Sequence, residues 1–327
     1  MALGREPRPP RLVILRALGI GDLLTAVPAL RALARAFPGH ERVLAAPAAL
    51  RPLVELVSAG EEPAVHSMID ARALEPLPRS ARGAEIAVNL HGRGPESHRV
   101  VRAARPGRAL WFENPEVAES RGAPRWHAGE HEVARWCRML SESGVPCRPH
   151  ELELELVDVT PSGATVIHPG AGSAARRWLP FRFAAVARAE AERGHPVLIT
   201  GASEDIGRAR SIALHAGLPE ASVVAGRTDL GALARIIAGA GRVVCGDTGV
   251  GHLATAFGIP SVVLFGPTSP AEWGPPAGRP RHRVLWAGET GDPHGGRPDP
   301  GLLAIQVADV VRALAELPAR EADPAPA

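Results

Sequence analysis

The chain of 327 residues contains no lysine and no tyrosine, and all 37 of its basic side chains are arginine. Alanine, glycine and proline are abundant at the same time, so the absence reads as coding bias rather than chemistry. An arginine at a given position therefore says less than it would where lysine was available. Cysteine is scarce: Cys137, Cys147 and Cys245 are odd in number and follow no metal or redox spacing. They read as reduced thiols in a cytoplasmic protein. A long apolar run is also missing. The leader MALGREPRPP has no apolar core, and RLVILRALGIGD is short and broken by Arg16 and glycines, which excludes a signal peptide and a membrane span there. Excess charge is lacking as well. With 37 basic against 35 acidic residues the net charge is +2, which makes no case for nucleic acid as a partner.

What is present is ordinary for a soluble globular protein with sizeable cores: 45% hydrophobic and 22% charged residues. The length suits two domains. In the first half, 12–15, 43–46 and 85–90 read as strands, and 22–37, 50–57 and 129–143 as helices. Pro28 inside the first helix predicts a kink or a late start. A polar stretch, 144–163, joins the halves. The alternation then resumes with strands at 164–168, 197–200, 223–225, 242–245 and 261–265. Helices are expected at 181–193, 204–216, 230–240 and 250–257, and a final amphipathic helix at 302–317. Strands separated by helices of this length imply right-handed βαβ units and a parallel sheet in each half. The expected fold is α/β, two Rossmann-like domains facing a central cleft.

Three bends can carry chemistry, because open parallel sheets gather ligands at the C-terminal strand ends. In ILRALGIGDLL, Gly19 and Gly21 allow a sharp turn and Asp22 falls at a helix N-cap. Asp22 is there either as a cap, worth about 1 kcal/mol, or as a general base. The second role requires its reference pKa of about 3.9 to rise. In VIHPGAGSAARRW, Gly170, Ala171, Gly172 and Ser173 precede Arg176 and a helix. Free N–H groups, the helix dipole and a bidentate donor suit phosphate; the alternative is a solvated loop. In CGDTGVGHLATAFGIPSVVLFGP, an Asp beside a diphosphate would repel it. Asp247 therefore caps the helix or accepts from sugar hydroxyls, while the amides of Thr248, Gly249 and Val250 face the anion. His252 lies one turn after Thr248 on the same side, a partner for a carboxylate such as Asp247. No other His or Cys stands at ligand spacing, so no metal site is assigned.

Taken together, these bends resemble glycosyltransferase family 9, the heptosyltransferase-like enzymes of the GT-B fold. The resemblance runs from about residue 12 to 314. It rests on GIGDLLTAVPALRAL (19–33), NLHGRG (89–94), HPGAGSAARRWLPFRFAAVA (168–187), AGRTDLGALARIIAGA (225–240) and GDTGVGHLATAFGIPSVVLFGPTSPAEWGP (246–275). It implies an inverting, metal-independent transfer of a heptose-like sugar from a nucleotide-diphosphate sugar, an ADP-sugar favoured, to a glycan or glycolipid hydroxyl, with no further cofactor.

The resemblance divides the chain into an N-terminal acceptor domain (1–158, with a disordered leader at 1–10) and a donor domain (159–300). A last helix (301–317) then packs back on the first domain, and a disordered tail (318–327) follows. Asp22 matches the family's general base. Gly170–Ser173, Arg176, Asp247, Thr248, Gly249 and His252 match its donor site, with Arg176 where the family usually has lysine; Arg keeps the charge and adds bidentate geometry. Gly21, Asn89, His91 and Arg93 fall on the acceptor side. The protein would work in the cytoplasm, at most in peripheral contact with the inner face of the membrane. Rival readings are a sugar-nucleotide epimerase or hydrolase of the same fold, and a non-catalytic sugar-nucleotide-binding protein. A dinucleotide-dependent oxidoreductase fits less well, because no strand end carries a clean G-x-G-x-x-G.

Overall fold

A computed structural model describes residues 9–318. The chain divides into two compact units, Met1–Leu152 and Glu153–Ala327, a few residues ahead of the expected boundary at 158/159. The expected disordered leader and tail fall almost entirely outside the described residues. Of the leader, Pro9 and Pro10 are described, and the Pro10 carbonyl accepts the Glu41 N–H at 2.8 Å.

In the first unit, β1 (Arg11–Leu15), α1 (Ile20–Thr25), α2 (Val27–Ala36), β2 (Glu41–Ala46), α3 (Arg51–Val57), β3 (Ser67–Asp70), β4 (Ile86–Asn89), α4 (Pro95–Ala103), β5 (Arg108–Leu110) and α5 (Glu132–Glu142) follow in order. The sheet is parallel, in the order β3-β2-β1-β4-β5. Its central strands bury both faces, which explains their unbroken apolar runs. The expected first helix is two helices meeting at Ala26. Pro28 sits at the second position of α2, where its missing N–H breaks no helical bond. Gly144, at φ +88°, turns the chain back after α5. Cys147 thereby reaches Cys137, with Cα atoms 4.9 Å apart, and the two form a disulfide. This corrects the expectation of three reduced thiols: a turn of a few residues folds one cysteine back onto the last turns of the helix that holds the other.

The second unit runs β6 (Thr165–His168), α6 (Pro180–Glu192), β7 (Val197–Ile199), α7 (Ile206–Ala216), α8 (Leu230–Gly239), β8 (Arg242–Gly246), α9 (Gly249–Ala256), β9 (Ser261–Leu264), α10 (Pro270–Trp273), β10 (His282–Leu285), α11 (Pro300–Ala304) and α12 (Val307–Ala315). This sheet is also parallel, ordered β10-β9-β8-β6-β7. The strand expected at 223–225 is reduced to an isolated bridge between Ile199 and Val223. The final helix is broken into α11 and α12. Val310, Ala313 and Leu314 of α12 are buried in the core of the second unit with Phe183, Val262 and Leu264. The buried Trp178 indole donates to the Ile305 carbonyl at 3.2 Å, and Arg182 donates to Leu303 and Ile305 at 2.7 and 2.6 Å, pinning the α11–α12 joint.

Each sheet has one place where strand order reverses, between β1 and β4 in the first and between β6 and β8 in the second. In open α/β sheets the crevice at such a point is where ligands bind.

Two histidines tie the stability of the second unit to pH. Burial pushes His168 down to about 4, against the opposing pull of Asp205. Burial, then Arg279 and Arg281, pushes His282 down to about 4; its Nδ1 lies 2.8 Å from the Ser261 hydroxyl. Both stay neutral when folded, whereas the unfolded chain protonates them near pH 6.5. The unfolded state thus binds more protons between about pH 6.5 and 4, and stability falls as pH drops through that window. The urea midpoint at pH 5 should lie below that at pH 7.5, and His282→Gln should flatten the difference. Equal midpoints for the wild-type protein would remove this linkage.

Candidate functional site

At the β1/β4 switch point, Arg16 follows the last residue of β1 and is 1% exposed. Its Nε donates to the Asp22 carbonyl at 2.9 Å and its Nη1 to the Leu90 carbonyl. Its Nη2 donates to Thr25 Oγ1 at 3.2 Å and to Glu132 Oε1 at 3.0 Å, and lies 3.4 Å from Asp22 Oδ1. The guanidinium also sits over the Trp136 ring, 4.9 Å from its centroid. Asp22 is not the N-cap expected from the sequence. Gly19 is the N-cap, and Asp22 stands three residues into α1, its Oδ2 accepting the Gly19 N–H at 3.1 Å. The carboxylate is 25% exposed, so it is anchored on one oxygen and open to solvent.

His91 shares this corner. Burial, then Arg16, holds its imidazole below the ordinary range, with Asp22 opposing. Asn89, expected on the acceptor side, is fully buried: Oδ1 accepts the His91 N–H at 3.1 Å and Nδ2 donates to Ser97 Oγ at 3.0 Å. It shapes the loop and has no surface for a ligand. Arg93 is exposed, its guanidinium 5.7 Å from the Trp126 centroid. Gly21 lies within α1 beside Asp22.

At the β6/β8 switch point, the loop Gly170–Ser173 leaves β6 and is held down from several sides. Ser173 Oγ donates to the Pro293 carbonyl at 2.6 Å, Arg177 Nε donates to the Ala171 carbonyl at 3.0 Å, and the Ala175 N–H donates to the Gly295 carbonyl at 3.0 Å. Arg176 then reaches across to the end of β8, its Nη1 3.7 Å from Asp247 Oδ2, while its buried Nε makes no hydrogen bond. Sequence reasoning kept Asp247 away from phosphate on charge grounds and offered His252 as its partner. Asp247 forms an ion pair with Arg176, which lies 71 residues earlier in the chain.

Thr248, in extended conformation, is the N-cap of α9, and Gly249 and Val250 open the helix. Their N–H groups and the dipole offer a site for an anion. His252 lies edge-on to Trp273 at 6.2 Å, and the two rings line a small recess with Asp247, Thr248, Thr255 and Pro275. Burial, then Asp247, pushes the Cys245 thiol up to about 12, with Thr248 opposing, so this buried thiol is no nucleophile.

The structure thus brings the expected second-unit residues to one bend, and Asp22, Gly21 and His91 to another. Sequence reasoning missed Arg16, Glu132, Trp273 and Asp205. A lone charge inside an apolar strand run was the available signal for Arg16. Asp205 packs so closely that a Cβ at Gly170 would stand 2.3 Å from its Oδ2. No group of three or more side chains that would hold a metal occurs among the described residues, and no described helix is long and apolar enough to cross a membrane.

A parallel-sheet unit with a polar bend at its switch point, present twice in one chain, defines the GT-B class. The fold is shared with E. coli ADP-heptose LPS heptosyltransferase II (TM-score 0.73, 21% identity, 93% of this chain and 97% of that one). A family 9 glycosyltransferase from Veillonella parvula has it too (TM-score 0.76, 18% identity, 95% and 98%). The model of glycosyltransferase family 9 (heptosyltransferase) matches residues 126–298, just over half of the sequence, and the chain belongs to that family. Lipopolysaccharide heptosyltransferase 1 of Pseudomonas aeruginosa is 35% identical over 117 residues, 36% of this chain and 32% of that protein. The match covers about a third of the length of the relatives of known function.

Gly170→Ala should displace Asp205 or the loop, because the new methyl has no room. Overpacking of this kind costs about 1–3 kcal/mol. A urea midpoint equal to that of the parent protein would show that the loop has slack.

Proposed function

We propose that this chain is an inverting, metal-independent glycosyltransferase. It moves a heptose-like sugar from a nucleotide-diphosphate sugar, ADP-heptose being the favoured donor, to a hydroxyl of a glycan or glycolipid. The second unit holds the donor; the first supplies the acceptor side and the base. The observation that carries this reading is Arg176 beside the Gly170–Ser173 loop. It is a cation with a long ion pair to Asp247 and an unbonded Nε, next to the free N–H groups that open α9. That arrangement suits the two charges of a leaving diphosphate without a metal.

Asp22 is the general base. Its Gly19 anchor fixes one oxygen, and the other takes the proton from the acceptor hydroxyl as that oxygen attacks the anomeric carbon. The bond from that carbon to the diphosphate breaks on the opposite side, and the nucleoside diphosphate departs with its charge met by Arg176 and the amides of Thr248, Gly249 and Val250. Support for ADP-heptose and a lipopolysaccharide-type acceptor comes from what the family relatives are named for. The setting is the cytoplasm, with at most a peripheral contact to the membrane face.

Thermal-shift screening of ADP-, GDP-, UDP- and dTDP-sugars should stabilise the protein with the ADP-sugar alone. No response to any of the four would sink the donor reading. Products with and without acceptor separate transfer from an epimerase or hydrolase, which consumes donor alone. Asp22→Asn should keep its affinity for ADP and lose about 10²–10⁴-fold in turnover, the usual contribution of a general base; near-parent turnover would remove Asp22 from the mechanism. Arg176→Ala should weaken ADP binding about tenfold or more, in line with a lost charge-assisted bidentate contact, and an unchanged dissociation constant would count against its phosphate role.

A further inference from the structure

Arg16 faces two carboxylates, and it favours the one that cannot reach substrate. Its Nη2 stands 3.0 Å from Glu132 Oε1 and 3.4 Å from Asp22 Oδ1. Glu132 is almost wholly buried in the first turn of α5. Besides Arg16, it accepts the Trp136 indole N–H at 2.8 Å and a bond from Arg135 Nη1. Burial alone would raise the Glu132 carboxyl, but Arg16, Arg135 and Trp136 outweigh it and hold the group below the ordinary carboxylate range. It is therefore a fixed negative charge. Arg16 in turn is fixed by the Asp22 and Leu90 carbonyls, the Thr25 hydroxyl and the Trp136 face.

We propose that Glu132 is a positioning residue for Asp22, acting through Arg16: it holds the guanidinium at a distance that steadies the Asp22 carboxylate without capturing it. The proposal rests on Asp22 being the general base. An arginine so close to an ionised carboxylate, with nothing opposing it, closes to a direct charge-assisted pair. In such a pair the lone pair that must take the acceptor's proton is occupied. Glu132 prevents this by satisfying Arg16 from the buried side, where an ion pair is screened least. Asp22 keeps the longer contact and its open oxygen.

The test is a double-mutant cycle of Asp22→Asn and Glu132→Gln. Transfer is measured from ADP-heptose to heptose-free lipopolysaccharide. If Glu132 acts through Asp22, Glu132→Gln lowers kcat about tenfold with little change in donor KM, and has no further effect in the Asp22→Asn background, the signature of coupled residues. A kcat within twofold of the parent overturns the proposal, and so does an equal loss in both backgrounds, the pattern of a merely structural residue. An Asp22→Asn protein with parent turnover overturns the base assignment instead, so the two failures are distinct. If Glu132→Gln does not fold by thermal melt, Glu132→Asp, which withdraws the charge by one methylene, enters the same cycle under the same criteria. A crystal structure of the folded variant reads the contact without turnover. Arg16 Nη2 should then sit in direct hydrogen-bond contact with Asp22 Oδ1, and an unmoved guanidinium overturns the proposal.

Discussion

Where the strand order of a parallel sheet reverses, the loops leaving the two neighbouring strands turn to opposite faces. Nothing then covers the strand ends between them. Both sheets contain one such place, and every residue offered here for chemistry lies at one or the other. The constraint works in two ways. Strands buried on both faces admit almost no polar side chains along their length, so polar groups collect at their ends. At those ends backbone N–H groups and helix N-termini lack partners, so the bends are already suited to anions before any side chain is considered.

The two bends answer the constraint with opposite chemistry. In the second unit the exposed groups are donors: Arg176, the glycine loop and the opening of α9. Asp247 orients the cation without neutralising it closely. In the first unit the exposed group is a carboxylate, and the cation is the buried member, enclosed by carbonyls, a hydroxyl, an aromatic face and a second carboxylate. On the proposed reading, the second unit's bend takes the charge of the leaving diphosphate and the first unit's bend takes the acceptor's proton, the division of labour such a transfer requires.

Much of this was legible in the chain. Residues 12–15, 43–46, 242–245 and 261–265 read as strands because burial on both faces leaves continuous apolar runs. The break near Pro28 followed from the geometry of one residue. β3, β5 and β10 were not legible, since they are short, partly exposed edge strands and half of Ser67–Asp70 and of His282–Leu285 is polar. The last helix was legible, but not its break into α11 and α12. An amphipathic stripe says that a face will be buried and does not name the partner.

The sequence by itself determined which residue types stand at the bends, because the glycines, the Asp-Thr-Gly corner and the lone Asp after Gly21 are local and their backbone consequences act within a few positions. Pairing was decided only by tertiary structure. Arg16 with Glu132, Arg176 with Asp247, and Asp205 against Gly170 join residues far apart in the chain. Arg176–Asp247 and Asp205–Gly170 arise because a parallel sheet sets neighbouring strand ends side by side whatever the length of chain between them. Arg16 meets Glu132 because the start of α5 is brought to the end of β1. Cys137 and Cys147 are the short-range counterpart. Their spacing announced nothing, and a glycine turn with positive φ brought them together.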